Sequence, residues 1–294
     1  MKVLALDVGG TAIKSAYFMD SSMLSSSEIP SEGELGAEAL LKNIFATIES
    51  YSDYDVIGIS TTGQVNNITG KIIYASKNIP DYTGTELMQI VAKRYNKRVV
   101  VENDVNAAAI GEGAFGSAIG TKDYICITYG TGIGGAIVMD GKLYTGANGI
   151  AGEVGHLITH PNGRDCNCGG KGCYERYASV AALVRDAMEV NPEWSDGRKI
   201  FASLSCGDKQ AKMVVDNWID EVIFGLVGLV HTFDPSTIIL GGGIMREKYI
   251  VDKINSIIKS MLMPSYGKIK ILSANLANNA GIYGMLARAL NIDM

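Results

Sequence analysis

Apolar positions along the chain change period in a repeating order. Residues 2–6 form a short apolar run that stops at Asp7-Val8-Gly9-Gly10-Thr11 and resumes at 13–18. A run, a glycine turn and a second run read as a β-hairpin. Residues 23–29 add a third strand. Leu40, Leu41, Ile44, Phe45 and Ile48 recur at helical period within 34–50, and Val56, Ile57 and Ile59 mark a strand within 55–60. Residues 61–70, rich in Thr, Gly and Asn, read as a loop. A helix over 84–95 and a strand over 98–101 follow. That strand runs into Glu102-Asn103-Asp104, from which a helix starts over 105–113.

The pattern then begins again. A strand over 124–128, the turn Tyr129-Gly130-Thr131-Gly132 and a strand over 133–139 echo the first hairpin, LDVGGTAIKSA against TYGTGIGGAIV. Helical periods cover 176–190 and 208–233, with a polar loop over 191–198 between them. A strand over 236–240 ends in Gly241-Gly242-Gly243, and a helix over 245–261, a strand over 268–272 and a last helix over 279–290 complete the chain. Two similar halves, each opening on a glycine-turn hairpin, predict a duplicated α/β fold of two domains around a cleft. A length of 294 residues suits two domains.

Charge and composition narrow the function. A net charge of −5 offers no basic field for a nucleic-acid backbone. The chain reaches Asp7 before a signal-peptide core can form, and its longest apolar helical run, 222–230, is too short to cross a bilayer. Three of the five cysteines are clustered, which fits a metal site in a reducing cytoplasm rather than disulfides.

Those cysteines, Cys166, Cys168 and Cys173, lie in EVGHLITHPNGRDCNCGGKGCYE, residues 153–175. Glycines between them allow the sharp turns that convergence on one ion requires. Three thiolates and one imidazole make a closed tetrahedral zinc site. The imidazole is that of His156, ten residues before Cys166, with His160 as its rival. The glycine turns are phosphate cradles of hairpin type. No GxxxxGK[ST] occurs, and GTGIGG is followed by a strand rather than by the helix that a dinucleotide fingerprint needs.

ExGH followed by CxCGxxGCxE resembles the signature of the ROK family of bacterial repressors, uncharacterised reading frames and sugar kinases, and the likeness covers nearly the whole chain. The duplicated hairpins resemble the wider actin, Hsp70 and hexokinase superfamily. The resemblance implies a division into residues 1–117 with 276–294 and residues 118–275, joined by a short hinge near 115–121. It implies ATP-dependent phosphorylation of a hexose or hexosamine at its 6-hydroxyl by a cytoplasmic homodimer, glucose favoured and N-acetylmannosamine next. END followed by VNAAA resembles the family's catalytic segment, which makes Asp104 the general base; alone, an Asp there reads as a helix cap. Asp7 would orient Mg²⁺ through water. Gly9, Gly10, Thr11, Gly130, Thr131 and Gly132 would meet the ATP phosphates, and Gly242 and Gly243 the adenosine. Lys14 resembles a basic residue of several relatives, whereas Ala12 stands where many have Asn. Asn103, Asp104, Glu153, His156 and Glu175 would hold the sugar, with Gly63 and Ser76 on a second contacting segment. The alternative reading is a sugar-sensing regulator or non-catalytic sugar binder. Regulators of the family carry a helix-turn-helix before the first hairpin, which here begins at Asp7.

Overall fold

The structure, a computed structural model, describes residues 1–76 and 78–292. Its first elements are β1 (Lys2–Val8), β2 (Ala12–Met19), β3 (Ser22–Pro30), α1 (Ala37–Glu49), β4 (Val56–Thr61), β5 (Gln64–Asn66), β6 (Lys71–Tyr74), α2 (Leu87–Tyr95), β7 (Arg98–Asn103) and α3 (Asp104–Phe115). Then come β8 (Tyr124–Tyr129), β9 (Ile133–Met139), β10 (Lys142–Leu143), α4 (Glu175–Ala178), α5 (Val180–Val190), α6 (Gly197–Ser205) and α7 (Lys209–Phe233). The last are β11 (Thr237–Gly241), α8 (Lys248–Met261), β12 (Lys270–Ser273) and α9 (Ala280–Leu290). Two five-stranded sheets result, ordered β3-β2-β1-β4-β7 and β10-β9-β8-β11-β12. The predicted duplicated α/β class is the observed one. By compactness the chain divides into Met1–Lys122 with Ala136–Ala151 and the stretch from Asn278, and Asp123–Gly135 with Gly152–Ala277.

In the first unit, strand alternation sorts β1 between two cores. Leu4, Leu6 and Val8 pack with Leu40, Ile44 and Leu87 on one face. Val3 and Ala5 pack with Phe18, Ile282 and Met285 on the other. β1, β4 and β7 run parallel, and their register brings Asp7 beside Ser60 and Thr61 beside Asn103. Chemistry-bearing residues therefore gather at the carboxyl ends of the parallel strands, where open α/β sheets place their ligands. Behind them α9 crosses α3 closely: a Cβ on Gly284 would fall 1.8 Å from the Ala107 carbonyl oxygen.

In the second unit β8, β11 and β12 run parallel. The long helix α7 is held to the metal-type loop through Tyr174, which is fully buried and donates its hydroxyl to the Val222 carbonyl at 2.7 Å.

Three local expectations differ. The loop over 61–70 contains β5, which pairs with β6. Each of these strands buries a single apolar side chain, Val65 and Ile72, too few for alternation to register. The helix over 176–190 is broken at Ser179, whose side chain accepts from Ala182 N and starts α5. The polar loop over 191–198 gives way to α6, capped by Asp196 and seated by Ile200 and Phe201.

Candidate active site

The first hairpin places Asp7 at the end of β1, one residue before the glycine turn. Gly9 N donates to the Ala12 carbonyl at 2.9 Å and closes that turn, leaving Gly10 and Thr11 exposed. Asp7 itself is tucked beneath. Ser60, fully buried on the neighbouring strand, donates its hydroxyl to Asp7 Oδ1 at 2.7 Å. Burial raises the Asp7 carboxyl above the ordinary aspartate range, opposed by the Ser60 hydrogen bond and the charge of Lys14. Lys14 lies directly across the hairpin from Asp7 and donates to the Asn278 carbonyl at 3.4 Å. The first turn of α9 closes against the same carboxyl: a Cβ on Gly281 would lie 2.9 Å from Asp7 Cγ.

Asp104 opens α3 but does not cap it. Asn103 is the cap, its Oδ1 accepting from Val105 N at 2.9 Å and Asn106 N at 3.0 Å. Asp104 stands one position further on, where its Oδ1 accepts from Asn103 Nδ2 and Val105 N, both at 2.9 Å. Dense surroundings, and after them the negative charge of Asp7, push its carboxyl up to about 7. Two carboxylates that repel each other across a small space are the arrangement a divalent cation relieves. Asn103 Nδ2 also donates to the Gly63 carbonyl at 2.9 Å, joining the β5 loop to this turn. Gly63 has φ +96°, and a Cβ there would meet Tyr74 O at 2.8 Å. Ser76 lies past β6, where its carbonyl accepts from Ile79 N at 3.2 Å. The first unit thus assembles Asp7, Lys14, Gly63, Asn103 and Asp104, with Ser76 one turn beyond.

In the second unit the second glycine turn is closed by Gly130 N donating to the Gly132 carbonyl at 2.9 Å. Val180 N, at the start of α5, donates to the Gly130 carbonyl at 2.9 Å. Glu175 is packed onto this turn: its Oε2 accepts from Ile133 N at 2.9 Å, and a Cβ on Gly132 would fall 2.3 Å from that oxygen. Thr131 is exposed at the tip. At the end of β11, Gly242 takes φ +99°, with no room for a Cβ against Tyr129 O at 2.1 Å, while nothing lies within 4 Å of a Cβ on Gly243.

His156, Cys166, Cys168 and Cys173 offer four ligand atoms all within 4.8 Å of one another. Cys168 Sγ and Cys173 Sγ are 3.6 Å apart, and Cys166 Sγ and His156 Nδ1 3.7 Å. Ligands about 2.3 Å from one tetrahedral ion stand about 3.8 Å from each other, so the spacing fits. A disulfide, with sulfurs about 2.05 Å apart, does not. His156 Nε2 points away from the sulfurs and lies 4.0 Å from Glu153 Oε2. His160, the rival ligand, is placed elsewhere. It stacks on Tyr177 with ring centroids 3.8 Å apart, and its Nε2 is 3.5 Å from Glu221 Oε1.

Ser60 and Glu102 escaped sequence reasoning, and Gly281 reads in the chain as a glycine that allows close helix packing, without its partner Asp7. An acid closing the apolar strand RVVVE was a signal for Glu102; Ser60 carries none without the strand order.

The ROK family profile matches residues 3–292. The chain belongs to the ROK family. Among its ROK relatives, a glucokinase of Thermotoga maritima is 34% identical, with 97% of this chain and 96% of that protein covered. An N-acetylmannosamine kinase of Haemophilus influenzae is 29% identical, with 97% and 94% covered. The crystal structure of a ROK family glucokinase from Streptomyces griseus in complex with glucose and AMPPNP superposes with a TM-score of 0.87 at 32% identity, covering 99% of this chain and 100% of that one. The Cys₃His cluster is typical of the family's zinc motif.

Proposed function

We propose that this ROK protein is a sugar kinase that transfers the γ-phosphoryl group of ATP to the 6-hydroxyl of a hexose or hexosamine, with Asp104 as general base. The observation that carries the reading is the state of Asp104. Its helix-capping task is taken by Asn103, and its carboxyl is raised to about 7 beside Asp7. A base that titrates near neutrality can accept the proton of an alcohol as it attacks phosphorus and release it again. The kinase relatives support the same chemistry.

Asn103 fixes the Asp104 carboxylate through Oδ1, and Oδ2 takes the proton. Asp7 would hold Mg²⁺ through its waters, and the hydrogen bond from Ser60 keeps that carboxylate in place. The ion, when bound with ATP, neutralises charge on the phosphates. Gly9, Gly10 and Thr11 meet the terminal phosphates, with Lys14 adding positive charge, and Gly130, Thr131 and Gly132 present the second turn to the nucleotide. Gly242 and Gly243 pass the adenosine. Glu153, His156 and Glu175, with Asn103, Gly63 and Ser76, hold ring hydroxyls, which suit carboxylates able to accept two hydrogen bonds each. His156 would give Nδ1 to the metal, leaving Nε2 for a hydroxyl, so that the metal would fix its tautomer. The closed Cys₃His set would hold structural zinc.

The test is a coupled ADP-release assay with ATP and a panel of hexoses and hexosamines. Sugar-dependent ADP release is expected; measurable sugar binding without release from any sugar overturns the kinase reading.

A further inference from the structure

Glu102 is a fully buried acid one residue before the Asn103–Asp104 pair. Every group that meets it is a donor. Its Oε1 accepts from Asn103 N at 3.0 Å and Asn106 Nδ2 at 3.1 Å. Its Oε2 accepts from Asn67 Nδ2 at 3.2 Å, with Arg288 Nη2 3.7 Å away. These donors belong to the end of β7, the first turn of α3, the tip of the β5–β6 hairpin and the last turn of α9. A buried carboxylate is costly unless so surrounded, so the four elements are held at one point.

The Asn67 contact is the unusual member. The hairpin turn is already closed without it: Asn66 Oδ1 accepts from Ile68 N and Thr69 N, and the Asn66 carbonyl from Gly70 N. The Asn67 amide is not spent on its own turn and reaches instead across to Glu102. The hairpin is thereby tied to the base-bearing turn at both ends, Gly63 through Asn103 Nδ2 and Asn67 through Glu102.

Resting on the kinase reading above, we infer that Asn67 and Glu102 are positioning residues for phosphoryl transfer. Their hydrogen bond sets where the hairpin stands relative to Asp104, and with it the fit of the acceptor sugar. The side-chain hydrogen bonds of the pair run to the hairpin and to the Asn103–Asp104 turn, so the effect falls first on the sugar.

The experiment compares the full-length wild type with Asn67→Ala, Glu102→Gln and the double variant Glu102→Gln/Asn67→Asp. It measures kcat and KM for the sugar, KM for ATP, and unfolding temperature. Asn67→Ala should lower kcat/KM for the sugar by about tenfold, the scale of one unpaired buried group, at unchanged KM for ATP and with a modest fall in unfolding temperature. Glu102→Gln must turn its amide N–H₂ either toward Arg288 or toward the Asn103 N–H, neither of which can accept, and should lose at least as much. The double variant reverses donor and acceptor across the contact and should recover most of that loss. A role in stability alone moves unfolding temperature without this split and without the rescue. Asn67→Ala within twofold of wild type for the sugar, or equal losses for sugar and ATP, overturns the inference, and does so even if Glu102→Gln fails to fold. A wild type that phosphorylates no sugar overturns the kinase reading itself, and the inference falls with it.

Discussion

At the scale of the residue, Asp104 carries two expectations of opposite sign. As a base it must be ionised. In the free enzyme its carboxyl titrates near 7, so kcat/KM should fall as pH drops through 7, approaching tenfold per unit below it. A profile flat from pH 8 to pH 5.5 excludes Asp104 as the base. For stability the sign reverses. The folded carboxyl binds its proton more tightly than the unfolded one, whose ordinary value is 3.8. Folding therefore loses stability as pH rises from about 4 to about 7, and the penalty is complete above that. Asp104→Asn removes the penalty and keeps the Oδ1 acceptor. It should lower kcat by roughly 10²-fold or more, the scale of a positioned base, while at pH 8 its unfolding temperature equals or exceeds that of wild type. Near-normal kcat would reduce Asp104 to part of the helix start. The candidate was legible in the sequence because Asn103-Asp104 follows a strand and opens a helix. What distinguishes base from cap was not legible, since it depends on which of two adjacent polar side chains turns onto the helix N–H groups.

At the scale of the element, the Cys₃His knot and α9 each hold a proposed site residue in place, His156 and Asp7. The knot fixes His156 directly, and Tyr174, next to Cys173, anchors it to α7 through the Val222 carbonyl. Cys168→Ser should lose zinc by elemental analysis and weaken sugar binding in the same step. A variant without metal that binds sugar normally would separate the knot from the site. In α9, Gly281 is a helical glycine where alanine would ordinarily add stability. Here the added methyl meets the Asp7 carboxyl at 2.9 Å, and Ser60 restrains that carboxyl from moving. Gly281→Ala should raise KM for Mg·ATP several-fold or lower kcat, with KM for the sugar nearly unchanged; unaltered kinetics would mean Asp7 has freedom to shift. The knot could be read from the chain because its ligands lie within eighteen residues of one another. Gly281 lies 274 positions from Asp7, and Ser60 meets it only because β4 pairs with β1. Contacts of that kind are set by strand order and helix docking, which local periodicity does not encode.

At the scale of the whole molecule, the question is which sugar the proposed kinase would favour. A primary hydroxyl is the least hindered nucleophile on a hexose ring, and a single carboxylate, Asp104, is offered as base. That favours 6-phosphorylation whatever the ring carries elsewhere. Discrimination then rests on the groups that meet the other ring positions, and glucose and N-acetylmannosamine differ at carbon 2, a hydroxyl in one and an axial acetamide in the other. Admitting the acetamide needs space and a partner for its amide; admitting glucose needs hydrogen bonds to a hydroxyl. Sites built to bond a hydroxyl reject analogues that leave their buried polar groups unpaired far more strongly than apolar pockets reject an added methylene. The first unit presents polar groups around Asp104, among them Asn103 and the Gly63 backbone. Glucose should therefore give the highest kcat/KM of a panel containing glucose, N-acetylmannosamine, mannose, fructose and allose, with N-acetylmannosamine second. The ratio kcat/KM is the quantity to rank, because it measures differential binding of transition states rather than ground-state affinity. Activity confined to N-acetylmannosamine would reverse the ranking and leave the proposed role of Asp104 as base untouched.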